Sequence, residues 1–156
     1  MILIIGYGNS LRQDDGAGLI LAQQLEQLCH TLNRPAERIS VQQLVPELAL
    51  DIAAAGVQAV IFADTHAAAG PNPAPQIQIT PLSAANVSPS VGHHLSPEVL
   101  LLYADRLFGK QLPAWLVTVP GIAFDHGEAI SRFTQTALAN AHDPILNLLT
   151  TQIPGF

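Results

Sequence analysis

The chain has 156 residues, 49% apolar and 12% charged, with six Lys and Arg against twelve Asp and Glu for a net charge of −6. Such a composition excludes a disordered chain and a coiled coil, and the six cations (Arg12, Arg34, Arg38, Arg106, Lys110, Arg132) are too scattered to build a nucleic-acid surface. The single cysteine, Cys29, excludes a disulfide framework and a cysteine zinc site, and no apolar run approaches the 18 residues of a membrane span. The apolar N-terminus has no basic n-region, so it does not read as a signal peptide. The expectation is one domain, 1–156, in the cytoplasm.

Met1–Gly6 is a continuous apolar run ending in glycine, the pattern of a buried strand. Residues 16–32 follow with Leu21, Leu25, Leu28 and Leu32 on one helical face, stopped by Asn33-Arg34-Pro35. Arg38–Val45 alternates as a second strand. Pro46–Ala55 is a short helix with proline in its first turn and Gly56 past its end. Val57–Ala63 is a third buried strand, with Asp64 at its tip and a small-residue loop, 67–75, behind it. Gln76–Thr80, bracketed by prolines, reads as an edge strand. Residues 82–95 form a long loop. Ser96-Pro97-Glu98 opens a helix that runs to Phe108 and closes at Gly109. Ala114–Val119 is the last strand, and Glu128–Ala141 a last helix that Pro144 breaks or restarts. The alternation predicts an α/β three-layer sandwich: a twisted, mainly parallel sheet of about five strands with helices on both faces. In such sheets functional groups gather at the carboxyl ends of the strands.

Gly6-Tyr7-Gly8-Asn9-Ser10-Leu11 begins like a dinucleotide fingerprint but has Leu11 at the third glycine position. Asp14 and Asp15 stand where a helix N-terminus would otherwise attract a pyrophosphate, so they repel an anion and suit a cation. Asp15 after the first strand and Asp64 after the third would meet if those strands are neighbours. The plainer alternative for Asp14 or Asp15 is a helix cap. Of the six histidines, His30 reads as a surface residue, His142 as a favourable charge at the end of the last helix, and His126 as part of a helix start. His66, His93 and His94 fall in loops expected to open on the same edge, and carboxylate with imidazole suits a divalent first-row ion. Neither H-E-x-x-H nor G-x-S-x-G occurs.

The stretch Gly6-Tyr7-Gly8-Asn9-Ser10-Leu11-Arg12-Gln13-Asp14-Asp15-Gly16-Ala17-Gly18 resembles the opening signature of the NiFe-hydrogenase maturation endopeptidases, G-x-G-N-x-L-x-x-D-[DE]-G-x-G. Phe62-Ala63-Asp64 with Gly70-Pro71 is similar to that family's second motif, and His93-His94-Leu95 stands where it carries a loop histidine. The resemblance implies a hydrolase that removes the C-terminal extension of the hydrogenase large-subunit precursor after nickel insertion. It implies that Asp15, Asp64 and His93 meet the nickel carried by that substrate and carry the catalysis. His94 is the alternative to His93. His66 lies outside the motif, an accessory ligand or no part of the site. Gly6, Gly8, Asn9, Asp14, Gly16 and Gly18 then support the loop. The implied partner is the precursor, with neither nucleic acid nor membrane, and the protein is expected to be monomeric. A non-catalytic nickel-binding or docking module and a nucleotide-binding α/β enzyme are the alternatives.

Overall fold

The computed structural model describes residues 1–86 and 95–155. Five strands, β1 (Ile2–Tyr7), β2 (Ala36–Val41), β3 (Ala59–Ala67), β4 (Gln78–Leu82) and β5 (Ala114–Gly121), form one sheet in the order β2-β1-β3-β5-β4. All neighbours are parallel except β4, which runs antiparallel to β5 at the edge. Edge placement is what lets Pro81 sit inside a strand without breaking a ladder on both sides.

The central strands are apolar on both faces because helices cover both. On one face Ile2, Ile4, Ile61, Val117 and Val119 pack beneath α1 (Ala17–Thr31), α4 (Arg132–Ala139) and α5 (His142–Asn147). On the other, Leu3, Ile5, Val60 and Phe62 pack beneath α2 (Leu48–Ala53) and α3 (Pro97–Phe108). The expected sandwich is what the chain builds. Helix α3 starts and stops where its caps dictate: Ser96 Oγ accepts from Val99 N at 3.2 Å, Pro97 follows, and Gly109 closes it at φ 67°.

Several boundaries move. Strand β2 stops at Val41 instead of Val45, because its partner β1 ends at Tyr7. Strand β3 continues past Ala63 to Ala67, because β5 runs on through Pro120 and Gly121 and keeps the ladder going, Asp64 beside Thr118 and His66 beside Pro120. Helix α4 begins at Arg132, not Glu128. Its N-cap Ser131 accepts from Thr134 N at 3.2 Å, and the residues before it are drawn out to the loop after β1, with Gly127 N donating to Leu11 O at 2.9 Å. His142 opens α5 rather than ending a helix, so it meets the positive end of the dipole and gains nothing from it. A π-helical turn, Leu148–Gln152, follows.

From β1 the chain leaves through α1 toward β2. From β3 it leaves in the opposite direction, toward β5. The chain thus reverses direction between β1 and β3, and the carboxyl ends of such a strand pair are where a doubly wound sheet forms its ligand crevice.

Candidate active site

The loop after β1 enters this crevice through Gly8, at φ +152°. Any Cβ on Gly8 would lie 2.1 Å from Asp15 O, so only glycine lets the loop fold back on itself. Asn9 Oδ1 then accepts from Leu11 N at 2.9 Å, a local turn. Asn9 N donates to Asp15 Oδ2 at 2.7 Å, which fixes one carboxylate oxygen at the mouth. Asp15 sits in a short 3₁₀ turn, Gln13–Gly16, and is half-buried. Neither this turn nor α1 has a side-chain N-cap, so the capping alternative for Asp14 and Asp15 does not hold.

Asp14 points the other way and has a different task. Its side chain is 0% exposed. Oδ2 accepts from Ile122 N at 2.9 Å, Ala123 N at 3.0 Å and Ser131 Oγ at 2.7 Å, and Oδ1 from Ser131 N at 2.7 Å. Burial by itself would raise this carboxyl, but the three backbone N–H groups and the Ser131 hydroxyl outweigh it and hold Asp14 below its ordinary value. Asp14 thereby ties the β5–α4 connection to the turn that carries Asp15.

Asp64 approaches from β3, on the same sheet face as Phe62, half-buried beneath the α2–α3 layer. Its Oδ1 accepts from Thr65 N at 2.7 Å. The Tyr7 hydroxyl, on the neighbouring strand and the same face, also acts on it. Burial, helped by the Asp15 charge, pushes the Asp64 carboxyl up to about 6 against these stabilising bonds. The Tyr7 hydroxyl is raised as well, first by burial and then by Asp64 and Glu98, so it stays protonated and able to donate. Glu98 brings the first turn of α3 to the same rim.

Helix α1 runs close enough to hold this geometry because residue 18 is glycine. A Cβ there would lie 2.7 Å from Asp64 Cα and 2.9 Å from Tyr7 O. Thr65 fastens the contact, accepting from Gly18 N at 3.0 Å and donating to Asp14 O at 2.8 Å.

His66, expected on a loop, lies within β3, its Nδ1 2.7 Å from Thr118 Oγ1. Burial lowers its pKa, which keeps the ring neutral. His93 and His94 fall outside the described residues. Among the described residues no three His, Cys, Asp or Glu side chains could hold a metal ion by themselves. Asp15 and Asp64 are two oxygen donors of the type a hard or borderline divalent ion accepts, short of a full coordination shell. Cys29 is buried, its thiol pushed up to about 11 by burial, and supplies no nucleophile here. His30 and His126 are both exposed, His30 at the end of α1 and His126 in the segment whose Gly127 pairs with the loop after β1.

Sequence reasoning passed over Tyr7, Thr65, Thr118 and Ser131. Tyr7 carried one legible signal, a polar-tipped aromatic at the end of an apolar strand between two motif glycines. The other three matter only through residues far along the chain.

No protein-family model and no curated protein sequence matches the chain. Solved structures do. The [NiFe] hydrogenase maturation protease HycI from Thermococcus kodakarensis KOD1 is 20% identical, with a TM-score of 0.65 over 96% of this chain and 92% of that one. The hydrogenase maturating endopeptidase HybD from E. coli is 21% identical, with a TM-score of 0.68 over 97% and 93%. The hydrogenase 2 maturation peptidase from Thaumarchaeota archaeon SCGC_AB-539-E09 is 19% identical, with a TM-score of 0.60 over 96% and 97%. The chain shares their fold from end to end.

Proposed function

We propose that the chain is an endopeptidase that removes the C-terminal extension of a nickel-loaded NiFe-hydrogenase large-subunit precursor in the cytoplasm. The observation that carries this reading is that β1 and β3 are paired neighbours, so that Asp15, in the turn after β1, and Asp64, near the end of β3, lie at the same edge of the sheet. Among the described residues no ion pair is formed to Asp15 or Asp64; two such acids attract a positive centre, and a metal-loaded protein segment brings one. The signature Gly6–Gly18 and the shared fold of maturation proteases support the same reading.

In this reading the nickel belongs to the substrate. Asp15, Asp64 and His93, with His94 as the alternative, complete its recognition, and when bound it supplies polarisation of the scissile carbonyl or of a water. Asp15 is oriented by Asn9 N and presents its remaining oxygen to the ion. Asp64 has a carboxyl near 6, close enough to neutrality to accept a proton from the attacking water while remaining mostly ionised. Tyr7 and Thr65 N hold the Asp64 carboxylate in place. His66, with Nδ1 2.7 Å from Thr118 Oγ1, is left outside this set of three in the present reading.

The test is mass spectrometry of purified nickel-loaded precursor after incubation with the protein. Wild type should release the extension. Asp15→Asn, Asp64→Asn and His93→Ala should each slow release by about a hundredfold or more while the variants stay folded. Activity lost in His94→Ala and kept in His93→Ala moves the histidine by one residue. A precursor that binds and is never cut makes the chain a docking module, and full-rate cleavage by all the variants puts the chemistry elsewhere.

A further inference from the structure

The end of β3 carries a second polar arrangement that the proposed cleavage leaves unused. His66 lies two positions beyond Asp64 on the same face of the strand, about 6.6 Å further along it. Its Nδ1 is 2.7 Å from Thr118 Oγ1, and Thr118 is itself only 8% exposed. Whichever partner donates, the contact fixes the ring plane and occupies Nδ1. The other ring nitrogen, Nε2, has no hydrogen-bond partner among the described residues.

His66 forms one wall of a cavity of about 260 Å³ between the end of β3 and the connection to β4. Ala68, Pro73, Ile77 and Pro120 supply apolar walls, Gln76 and Gln78 two amides, and no Lys, Arg, Asp or Glu lines it. The volume is below the ~300 Å³ at which small-molecule pockets begin, and suits one or two amino-acid side chains. The cavity and the candidate site share strand β3, which carries Asp64 and, two residues on, His66. An extended peptide advances about 3.3 Å per residue, so a segment whose peptide group sits at Asp64 places the residue two positions away beside His66.

We infer that His66 and this cavity form a subsite for an uncharged residue of the precursor's C-terminal segment, two positions from the bond presented at Asp64. Nε2 hydrogen-bonds the segment, and Thr118 is the positioning residue that holds the ring. The inference rests on the proposed cleavage reading and adds to it a substrate contact that does no chemistry.

Two measurements test it. The first is NMR of ¹⁵N-histidine-labelled protein titrated with a synthetic peptide that spans the precursor's cleavage site. The His66 ring resonances should move, while those of His30, exposed at the end of α1, stay still. The second is steady-state processing of nickel-loaded precursor. His66→Ala should raise KM about three- to tenfold, the loss of one net hydrogen bond, with kcat unchanged. Thr118→Val, which keeps the side-chain shape, should raise KM in the same direction. It should also shift the His66 ring resonances in the free protein, which a purely structural role would leave unmoved. Still His66 resonances on peptide addition, or an unchanged KM in His66→Ala, overturns the subsite. So does a fall in kcat at constant KM, which would put His66 on the metal or the reacting atoms. If wild type fails to cut the precursor, the cleavage reading falls by itself, and the peptide titration still decides whether the subsite exists.

Discussion

Replacing Asp14 by asparagine changes no more than one oxygen into an NH₂, yet the structure makes it a severe substitution. The carboxylate accepts four hydrogen bonds in a site with no exposure, from Ile122 N, Ala123 N, Ser131 N and Ser131 Oγ. Asparagine keeps one accepting oxygen and turns its own donors toward backbone donors. With its oxygen in the Oδ2 position asparagine still accepts from Ile122 N, Ala123 N and Ser131 Oγ, but the Ser131 N–H faces an NH₂ and is left stranded, at about 1–3 kcal/mol, and the three bonds that remain lose their charge, which gives a loss of about 3 kcal/mol. For a chain of this length that lowers Tm by about 8 °C, and against a typical total of about 5–15 kcal/mol the variant remains folded with a reduced margin. Urea unfolding of Asp14→Asn, Ser131→Ala and the double variant measures both the loss and its sharing, and the two single effects should be strongly non-additive. The pH dependence has a definite sign. Asp14 is held below its ordinary 3.8, so its contribution is fully present above that value and is lost as pH falls through the depressed value. The stability gap between wild type and Asp14→Asn should therefore be constant from neutrality down to about pH 4 and close below it. A loss under about 1 kcal/mol, or a gap that persists unchanged into strong acid, would refute the claim that this carboxylate is ionised and pins the β5–α4 connection.

Asp64 should behave in the opposite sense. Its carboxyl is raised to about 6, mainly by burial, so its charge opposes folding as pH climbs from its unfolded value toward neutrality. Asp64→Asn is expected to leave Tm at pH 7 equal to or above that of wild type while processing stops; a clear loss of Tm would show that the carboxylate is structural. ¹³C-carboxyl NMR should find the Asp64 midpoint near 6, and Asp15→Asn should bring it down, since Asp15 is one of the charges that raise it. Gly18→Ala would press a methyl within 2.7 Å of Asp64 Cα and 2.9 Å of Tyr7 O, backbone atoms that cannot step aside. Calorimetry should show a loss of about 1–3 kcal/mol, and processing should fall with it; an alanine variant with wild-type stability and rate would mean that α1 can move away at no cost.

What the sequence determined by itself was local and periodic. Apolar runs such as Ile2–Ile5 and Ala59–Ala63 specify strands buried on both faces, and therefore a sheet with two helical layers. Ser96-Pro97 and Gly109 specify the two ends of α3, because a cap is decided within a few residues of itself. Two acids near the ends of the first and third strands could be read in the same way, but that those strands are neighbours was a condition, which alternation of elements does not fix and the strand order β2-β1-β3-β5-β4 meets. Only the tertiary structure decided which acid does what. Asp14 and Asp15 are adjacent and alike in sequence. One is consumed by N–H groups more than a hundred residues away, and the other faces the crevice with Asn9 N behind it. The extension of β3 through His66 depends on β5 continuing beside it, and the late start of α4 depends on Ser131 being held by Asp14. Hydrogen bonds between distant segments leave no period in the chain, and those bonds, more than the strands and helices themselves, set the direction of every polar group at this site.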